Sequence, residues 1–270
     1  MACVDEADRH VAVPANPTGS GILVLAGSSG RIESDRAALF AQHGVRAHAI
    51  RWFGGRGQRP VPHEVPLELF VDEVALLRES CERVSILGTS FGAEAALLTA
   101  TRTPLDAVIA VAPTSVVWPG ILDGSWSSHW TEGGTALPWV PFVDDWAAAT
   151  DPPEFLGLYT DSLDLHRVEA AEIPVERILG DLLLVAGEDD RVWPSARFAD
   201  EIAARRAAAE RKTDVLRHPL AGHRVPFPGE PVALGGQSMA RGGSPEADAE
   251  LGALAWDAAL ARVLGTTRPS

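Results

Sequence analysis

Cysteine is almost absent from the 270 residues: only Cys3 and Cys81 occur. That excludes a disulfide framework and a cysteine-based metal site, and it fits two reduced thiols in a cytoplasmic protein. Lysine is scarcer still, Lys212 being the only one, and no basic cluster stands out against a formal net charge of −14. Such a charge repels nucleic-acid phosphates and anionic lipid surfaces, so neither nucleic acid nor a membrane is an expected partner. No apolar run approaches the length that spans a bilayer. The amino-terminal stretch M-A-C-V-D-E-A-D is acidic and has neither the positive nor the apolar segment of a secretory signal. No H-x-x-x-H pair or comparable ligand spacing occurs, so no metal and no cofactor is expected. Low-complexity tracts and internal repeats are missing as well.

What is present reads as a folded α/β protein, taken as one domain over residues 1–270. Short apolar runs at Gly21–Ala26, Val45–Trp52, Val84–Leu87, Ala107–Ala112, Leu182–Ala186 and Asp214–Arg217 predict buried strands. Between them, Ser34–His43, Leu67–Cys81, Ala93–Thr101, Ser195–Arg211 and Glu246–Val263 carry apolar residues at helical spacing. This alternation predicts a mostly parallel sheet covered on both faces, with ligands bound beyond the carboxyl ends of the strands. The first nineteen residues leave room for one edge strand at most.

One stretch departs from the alternation. Pro113–Pro174 has weak periodicity, many prolines and glycines, and five of the eight tryptophans, Trp118, Trp126, Trp130, Trp139 and Trp146. It follows a strand and so emerges at the carboxyl edge of the sheet, where a lid-like insertion would lie. Trp118, Trp126 and Trp130, with Trp193 further on, are the expected substrate-lining residues.

Gly88-Thr89-Ser90-Phe91-Gly92 directly follows a strand and precedes a helix, the context that a nucleophile elbow requires. The turn is so tight that side chains at the two glycines would collide with backbone, and it leaves Ser90 near the amino end of the next helix. A serine hydroxyl needs a base within hydrogen-bond reach and an acid to fix that base's tautomer. The strand Leu182–Ala186 runs into Gly187-Glu188-Asp189-Asp190, and His223 lies in the L-A-G-H loop after the next strand. Ser90, Asp190 and His223 therefore occur in the chain order of an α/β-hydrolase, with Asp190 preferred to Asp189. Two amide donors should face a developing oxyanion, that of Phe91 and that of Ser28, with Ser29 close behind, from Gly27-Ser28-Ser29-Gly30.

Several segments together resemble the carboxy-terminal catalytic domain of the acyl-CoA thioester hydrolase and bile-acid-CoA:amino acid N-acyltransferase family. They are A-G-S-S-G, S-D-R-A-A-L-F-A-Q-H-G-V, V-P-L-E-L-F, L-G-T-S-F-G-A-E, I-P-V-E-R-I, V-A-G-E-D-D-R-V-W-P-S, A-G-H-R-V-P-F-P and the stretch from Gly235-Gly236 to Ala240. The resemblance implies an α/β-hydrolase fold, similar to dienelactone hydrolases, and hydrolysis of an acyl thioester through an acyl-enzyme on Ser90. Three features depart from the larger members: no amino-terminal β-sandwich domain, Phe91 where lysine is frequent, and serine where the conjugating members use cysteine. Because thioester acyl-enzymes favour amine attack, Ser90 points to water as acceptor.

The expected substrate is a small acyl thioester on coenzyme A or an acyl carrier protein, with Arg51, Arg56 and Arg59 as candidate phosphate contacts, or else a solvated loop. The alternatives are a carboxylester or lactone hydrolase, or an acyltransferase or cyclase using the same residues.

Overall fold

A computed structural model describes residues 4–231 and 237–266; Cys3 and the Gly235-Gly236 pair lie outside the described residues. Seven strands build the central sheet: β1 (Arg9–Ala12), β2 (Ser20–Leu25), β3 (Arg46–Ile50), β5 (Arg83–Thr89), β6 (Ala107–Val111), β11 (Asp181–Gly187) and β12 (Asp214–His218). Their order is β1-β3-β2-β5-β6-β11-β12. Every pairing is parallel except that of β1 with β3. The six strands expected from the apolar runs are all in this sheet, and the amino-terminal segment adds the single edge strand.

Period-two alternation sorts the strand side chains onto two faces. Leu23, Leu25, Ile86, Val108, Ala110, Leu182 and Leu184 pack with α2 (Glu68–Arg78), α3 (Phe91–Ala100) and α5 (Ser195–Ala208). Ile22, Val24, Leu87, Ile109, Val111, Leu183 and Val185 pack against α1 (Ser34–Gln42) and α6 (Pro245–Val263). Both faces of the central strands are thus apolar, as a sheet covered by helices on both sides demands. Among the described residues no helix is long and apolar enough to cross a membrane.

The chain leaves β2 toward β3 on one side, then returns to β5 on the other. A crevice opens between the carboxyl ends of β2 and β5, where this topology places a ligand site.

The stretch 113–174 holds β7 (Pro119–Leu122), β8 (Ser125–Ser128), β9 (Trp130–Glu132), β10 (Thr135–Ala136) and α4 (Leu156–Leu165). β7 and β8 form an antiparallel hairpin. β9 lies between β10 and the two-residue strand β4 (Val65–Pro66). A separate apolar cluster gathers here, with Val116, Trp118, Val140, Tyr159 and Leu163 packed on Trp193 and Phe198.

Candidate active site

β5 ends at Thr89 and α3 begins at Phe91, so Ser90 alone makes the turn, at φ 58° and ψ −123°. A non-glycine residue held there is strained and persists only where its surroundings fix it. Here they do. The Ser90 amide donates to the Val111 carbonyl at 2.9 Å. A Cβ on Gly88 would sit 1.9 Å from the Gly92 carbonyl oxygen, and one on Gly92 2.5 Å from that of Ala26. Strand, turn and helix approach so closely that both flanking positions require glycine.

The hydroxyl faces the loops that follow β11 and β12. Ser90 Oγ lies 3.0 Å from His223 Nε2, and His223 Nδ1 lies 2.8 Å from Asp190 Oδ2. The other Asp190 oxygen accepts from the Val192 and Trp193 amides at 2.8 and 3.3 Å. All three residues are buried, each less than a tenth exposed. Trp193 sets its ring edge-on to His223 with centroids 5.6 Å apart, so the imidazole is braced on its side as well as at both nitrogens. The structure therefore brings Ser90, Asp190 and His223 into one hydrogen-bonded chain.

Asp189, the alternative acid, is turned outward. It accepts from the Gly243 amide at 2.9 Å and from Arg191 Nε at 2.6 Å, and it caps no helix. The Gly243 hydrogen bond, opposed by partial burial and aided by Arg191, holds its carboxyl below the usual range. Gly242, at φ +66°, carries this contact, since a Cβ there would meet the Asp189 carbonyl oxygen at 1.6 Å.

Phe91 is the first residue of α3, so its amide has no acceptor within the helix. The Gly27–Ser28 turn lies beside it: a Cβ on Gly27 would be 3.0 Å from Ser90 Cβ and 3.6 Å from Oγ. Ser28 and Ser29, both exposed, line the same cavity as Ser90, Phe91 and His223. That cavity encloses about 1300 Å³. A serine–histidine pair at the amino end of a helix, open to a cavity, is an arrangement suited to acyl transfer.

The tryptophans need correction. Trp126 lines the cavity and is half exposed, but Trp118, Trp130 and Trp193 are fully buried and do not line it. For Trp130 the reason is a carboxylate that sequence reading overlooked. Glu94, one turn into α3 and wholly buried, accepts from the Trp118 amide at 2.9 Å, Trp130 Nε1 at 2.8 Å and His129 Nδ1 at 3.1 Å. The bond to its indole draws Trp130 inward onto Trp52 and Phe70, while the Trp118 indole donates to Thr114 Oγ1 at 2.9 Å and packs onto Tyr159. The cavity wall is built instead by Ile121, Phe142, Phe155, Leu158 and Tyr159 with Trp126. Burial, then the charges of Glu94 and Asp190, push the Tyr159 phenol well above its usual range, so it stays neutral. A lone glutamate in the apolar run A-E-A-A-L-L was the available sign.

Arg36 is a second omission. Buried on α1, it donates to Thr89 Oγ1 at 3.0 Å, to the Val225 carbonyl at 3.4 Å and to both Glu230 oxygens, joining the serine turn to the histidine loop. Arg51, Arg56 and Arg59 stand away from the cavity: Arg51 faces Asp8 at 3.6 Å, Arg59 pairs with Glu64 at 2.9 Å, and Arg56 is exposed. Among the described residues, no group of acidic, histidine or cysteine side chains could hold a metal.

The sequence profile of the BAAT / acyl-CoA thioester hydrolase C-terminal family matches residues 65–261, which hold Ser90, Asp190 and His223. This chain belongs to that family. It is similar to acyl-coenzyme A thioesterase 2, mitochondrial, of Mus musculus, 28% identical over 261 residues that cover 87% of this chain and 53% of that protein. It is also similar to the mouse acyl-coenzyme A amino acid N-acyltransferase 2, at 27% identity over 84% of this chain and 57% of that one. The chain thus spans about half the length of the curated relatives it matches. Among solved structures, a Klebsiella pneumoniae protein provisionally named a dienelactone hydrolase superposes with a TM-score of 0.58 at 16% identity, covering 94% and 91% of the two chains. That likeness establishes the α/β-hydrolase fold of this family member.

Proposed function

We propose that this chain hydrolyses acyl thioesters, with Ser90 as nucleophile, His223 as general base and then general acid, and Asp190 as the group that orients the imidazole. The observation that carries the reading is the continuous hydrogen-bonded chain from Ser90 Oγ to Asp190, in a member of a family named for acyl-CoA thioester hydrolysis.

Ser90 Oγ attacks the thioester carbonyl carbon while its proton passes to His223 Nε2. The oxyanion that forms is held by the Phe91 and Ser28 amides and favoured by the amino end of α3. Collapse breaks the carbon–sulfur bond, and the thiolate takes the proton from His223. Water then attacks the acyl-serine as His223 removes its proton, and a second collapse releases the acid and restores Ser90. Asp190, fixed by two backbone amides, keeps the Nδ1 proton facing it and stabilises the imidazolium in both halves.

The stretch 113–174 acts as the cap over this site, Glu94 fastening it to the helix that carries the serine. Its aromatic and aliphatic side chains supply the apolar wall that takes the acyl chain. The test is thiol release from a series of acyl-CoA thioesters, run beside p-nitrophenyl esters and amine acceptors. Thioester turnover at least about tenfold above ester turnover is expected, lost when Ser90 is replaced. Acylated amine as the main product would move the reading to acyl transfer, and ester turnover alone to a carboxylester hydrolase.

A further inference from the structure

The chain as a whole is strongly acidic, with 37 acidic against 23 basic residues. The cavity is not: Arg31, Arg36, Arg224 and Arg241 line it against Glu33, Asp35, Glu230 and Asp248. Two of these charges are committed to the wall itself, since Arg36 and Glu230 form a buried pair at 2.5 and 2.8 Å. Asp248 is engaged with the Gly222 amide at 2.7 Å, and burial raises its carboxyl, which disfavours its charged form.

The other three arginines come from two connections beside the proposed nucleophile and base, Arg31 from that between β2 and α1, Arg224 and Arg241 from that between β12 and α6. Arg31 follows the Gly27–Gly30 turn, and Arg224 follows His223 directly. Arg241 belongs to the segment whose carbonyl accepts the His223 amide at 2.9 Å. Arg241 donates to the carbonyls of Met239 and Gln237 at 3.2 and 2.9 Å, neutral acceptors that do not cancel its charge. Arg31 shares its charge with Glu33 at 2.8 Å. Burial, and after it the charges of Arg241 and Arg31, hold Arg224 below the usual guanidinium range; Glu33 and Asp248 oppose this but do not outweigh it. Arg241 is likewise lowered by burial and then by Arg31. Arg224 and Arg241, partly buried cations at the cavity near the exposed Arg31, are unfavourable together, and a bound anion relieves that cost. Guanidinium groups are also the side chains best shaped to grip phosphate or carboxylate oxygens through paired N–H donors.

We propose that Arg31, Arg224 and Arg241 form an anion-recognition wall of the cavity, facing the apolar wall supplied by residues 119–159. This wall seats an anionic group of the substrate, either a phosphate on the thiol-bearing half or a carboxylate on the acyl half. The inference rests on the thioesterase reading above and deepens it, since it explains how so acidic a chain accepts an anionic substrate.

The test compares kcat/KM for a medium-chain acyl-CoA, the same acyl N-acetylcysteamine thioester, and an ω-carboxyacyl N-acetylcysteamine thioester. The wild-type chain and Arg31→Gln/Arg241→Gln are used. An anionic substrate should be favoured over the neutral one by about tenfold or more, an advantage that falls toward unity in the double variant and, for the wild type, in high salt. Advantage for the CoA thioester assigns the wall to phosphate; advantage for the ω-carboxy substrate assigns it to a carboxylate. Equal kcat/KM for all three, unmoved by substitution or salt, overturns the wall while leaving thioester hydrolysis intact. If no thioester is hydrolysed, the functional reading fails, and the wall is judged by equilibrium binding of adenosine 3′,5′-bisphosphate and adipate. Binding of either probe that the double variant loses supports it, and no binding of either by the wild type overturns it. Thermal unfolding checks that the double variant folds; should it not, the salt dependence and binding measured on the wild type decide alone.

Discussion

The carboxyl edge of the sheet and the 113–174 stretch above it present side chains to one cavity but are fixed by different physics. At the edge, backbone does the positioning: Ser90 is held at positive φ by close contacts at Gly88 and Gly92, and Asp190 by two amides. In the stretch above, position depends on side chains packing around the buried Glu94 carboxylate, with Trp118 and Trp130 drawn inward and Trp126 left at the surface of the cavity. Backbone constraint holds the proposed reacting groups to a narrow geometry. Side-chain packing leaves the wall free to vary in shape without disturbing them.

The sharpest break in this comparison is to remove a reacting group without touching the packing. Ser90→Ala should lower kcat for thioester hydrolysis by about 10⁴-fold or more, and Asp190→Asn by about 10³–10⁴-fold, both measured by thiol release. The unfolding temperature should stay within a few degrees of wild type, because neither change opens a cavity. Turnover surviving in Ser90→Ala would remove the serine from its proposed role.

Glu94→Ala attacks the other kind of order. It strips one acceptor from a backbone amide, an indole N–H and a histidine, all buried, and should destabilise the fold by about 3–5 kcal/mol in urea unfolding. Glu94→Gln, which keeps the shape and an acceptor oxygen, should cost distinctly less. Equal stability of Glu94→Ala and wild type would show that the stretch is held by its apolar cluster alone.

The division also marks what could be read from the sequence. Strands such as Val84–Leu87 and Leu182–Ala186 are continuous apolar runs because both faces are buried, and that signal is local. Gly88 and Gly92 report the elbow because only one residue type fits, and Asp190 and His223 follow from their places after successive strands. The tryptophans gave no such sign: an indole in a loop has the same composition whether it lines a cavity or fills a core. The Trp130 indole is turned by Glu94, more than thirty residues away in the chain, a pairing that no local pattern around the tryptophan reveals. Arg36 and the three cavity arginines were hidden for the same reason, since segments distant in sequence, residues 31–36 and 224–241, bring them to one cavity.

Within the stretch, Trp126 and Trp118 separate wall from core. Trp126→Ala should reduce kcat/KM by about tenfold for longer acyl chains and little for short ones, because the indole is half exposed and touches Phe142 edge-on at 5.6 Å. Trp118→Ala should instead cost about 3–5 kcal/mol of stability with no such chain-length signature. A chain-length shift in Trp118→Ala rather than Trp126→Ala would reverse the assignment of inside and outside.

The smallest effect belongs to the neighbouring pair Asp189 and Asp190, where adjacent carboxylates differ in surroundings rather than in chemistry. Asp189→Asn weakens an anchor to Gly243 and an ion pair to Arg191 that is about a third exposed or more on both sides, so screening limits the loss to about 0.5 kcal/mol or less. Its carboxyl is held below the usual range by the Gly243 amide, against burial and with help from Arg191. A lowered folded value means the contribution is present above the ordinary carboxylate range and disappears as pH falls through the lowered value. Asp189→Asn should therefore be slightly less stable than wild type at pH 7 and indistinguishable from it near pH 2, with kcat within about threefold of wild type. A drop in kcat as large as that of Asp190→Asn would mean that the outer carboxylate, and not the one bonded to His223, orients the base.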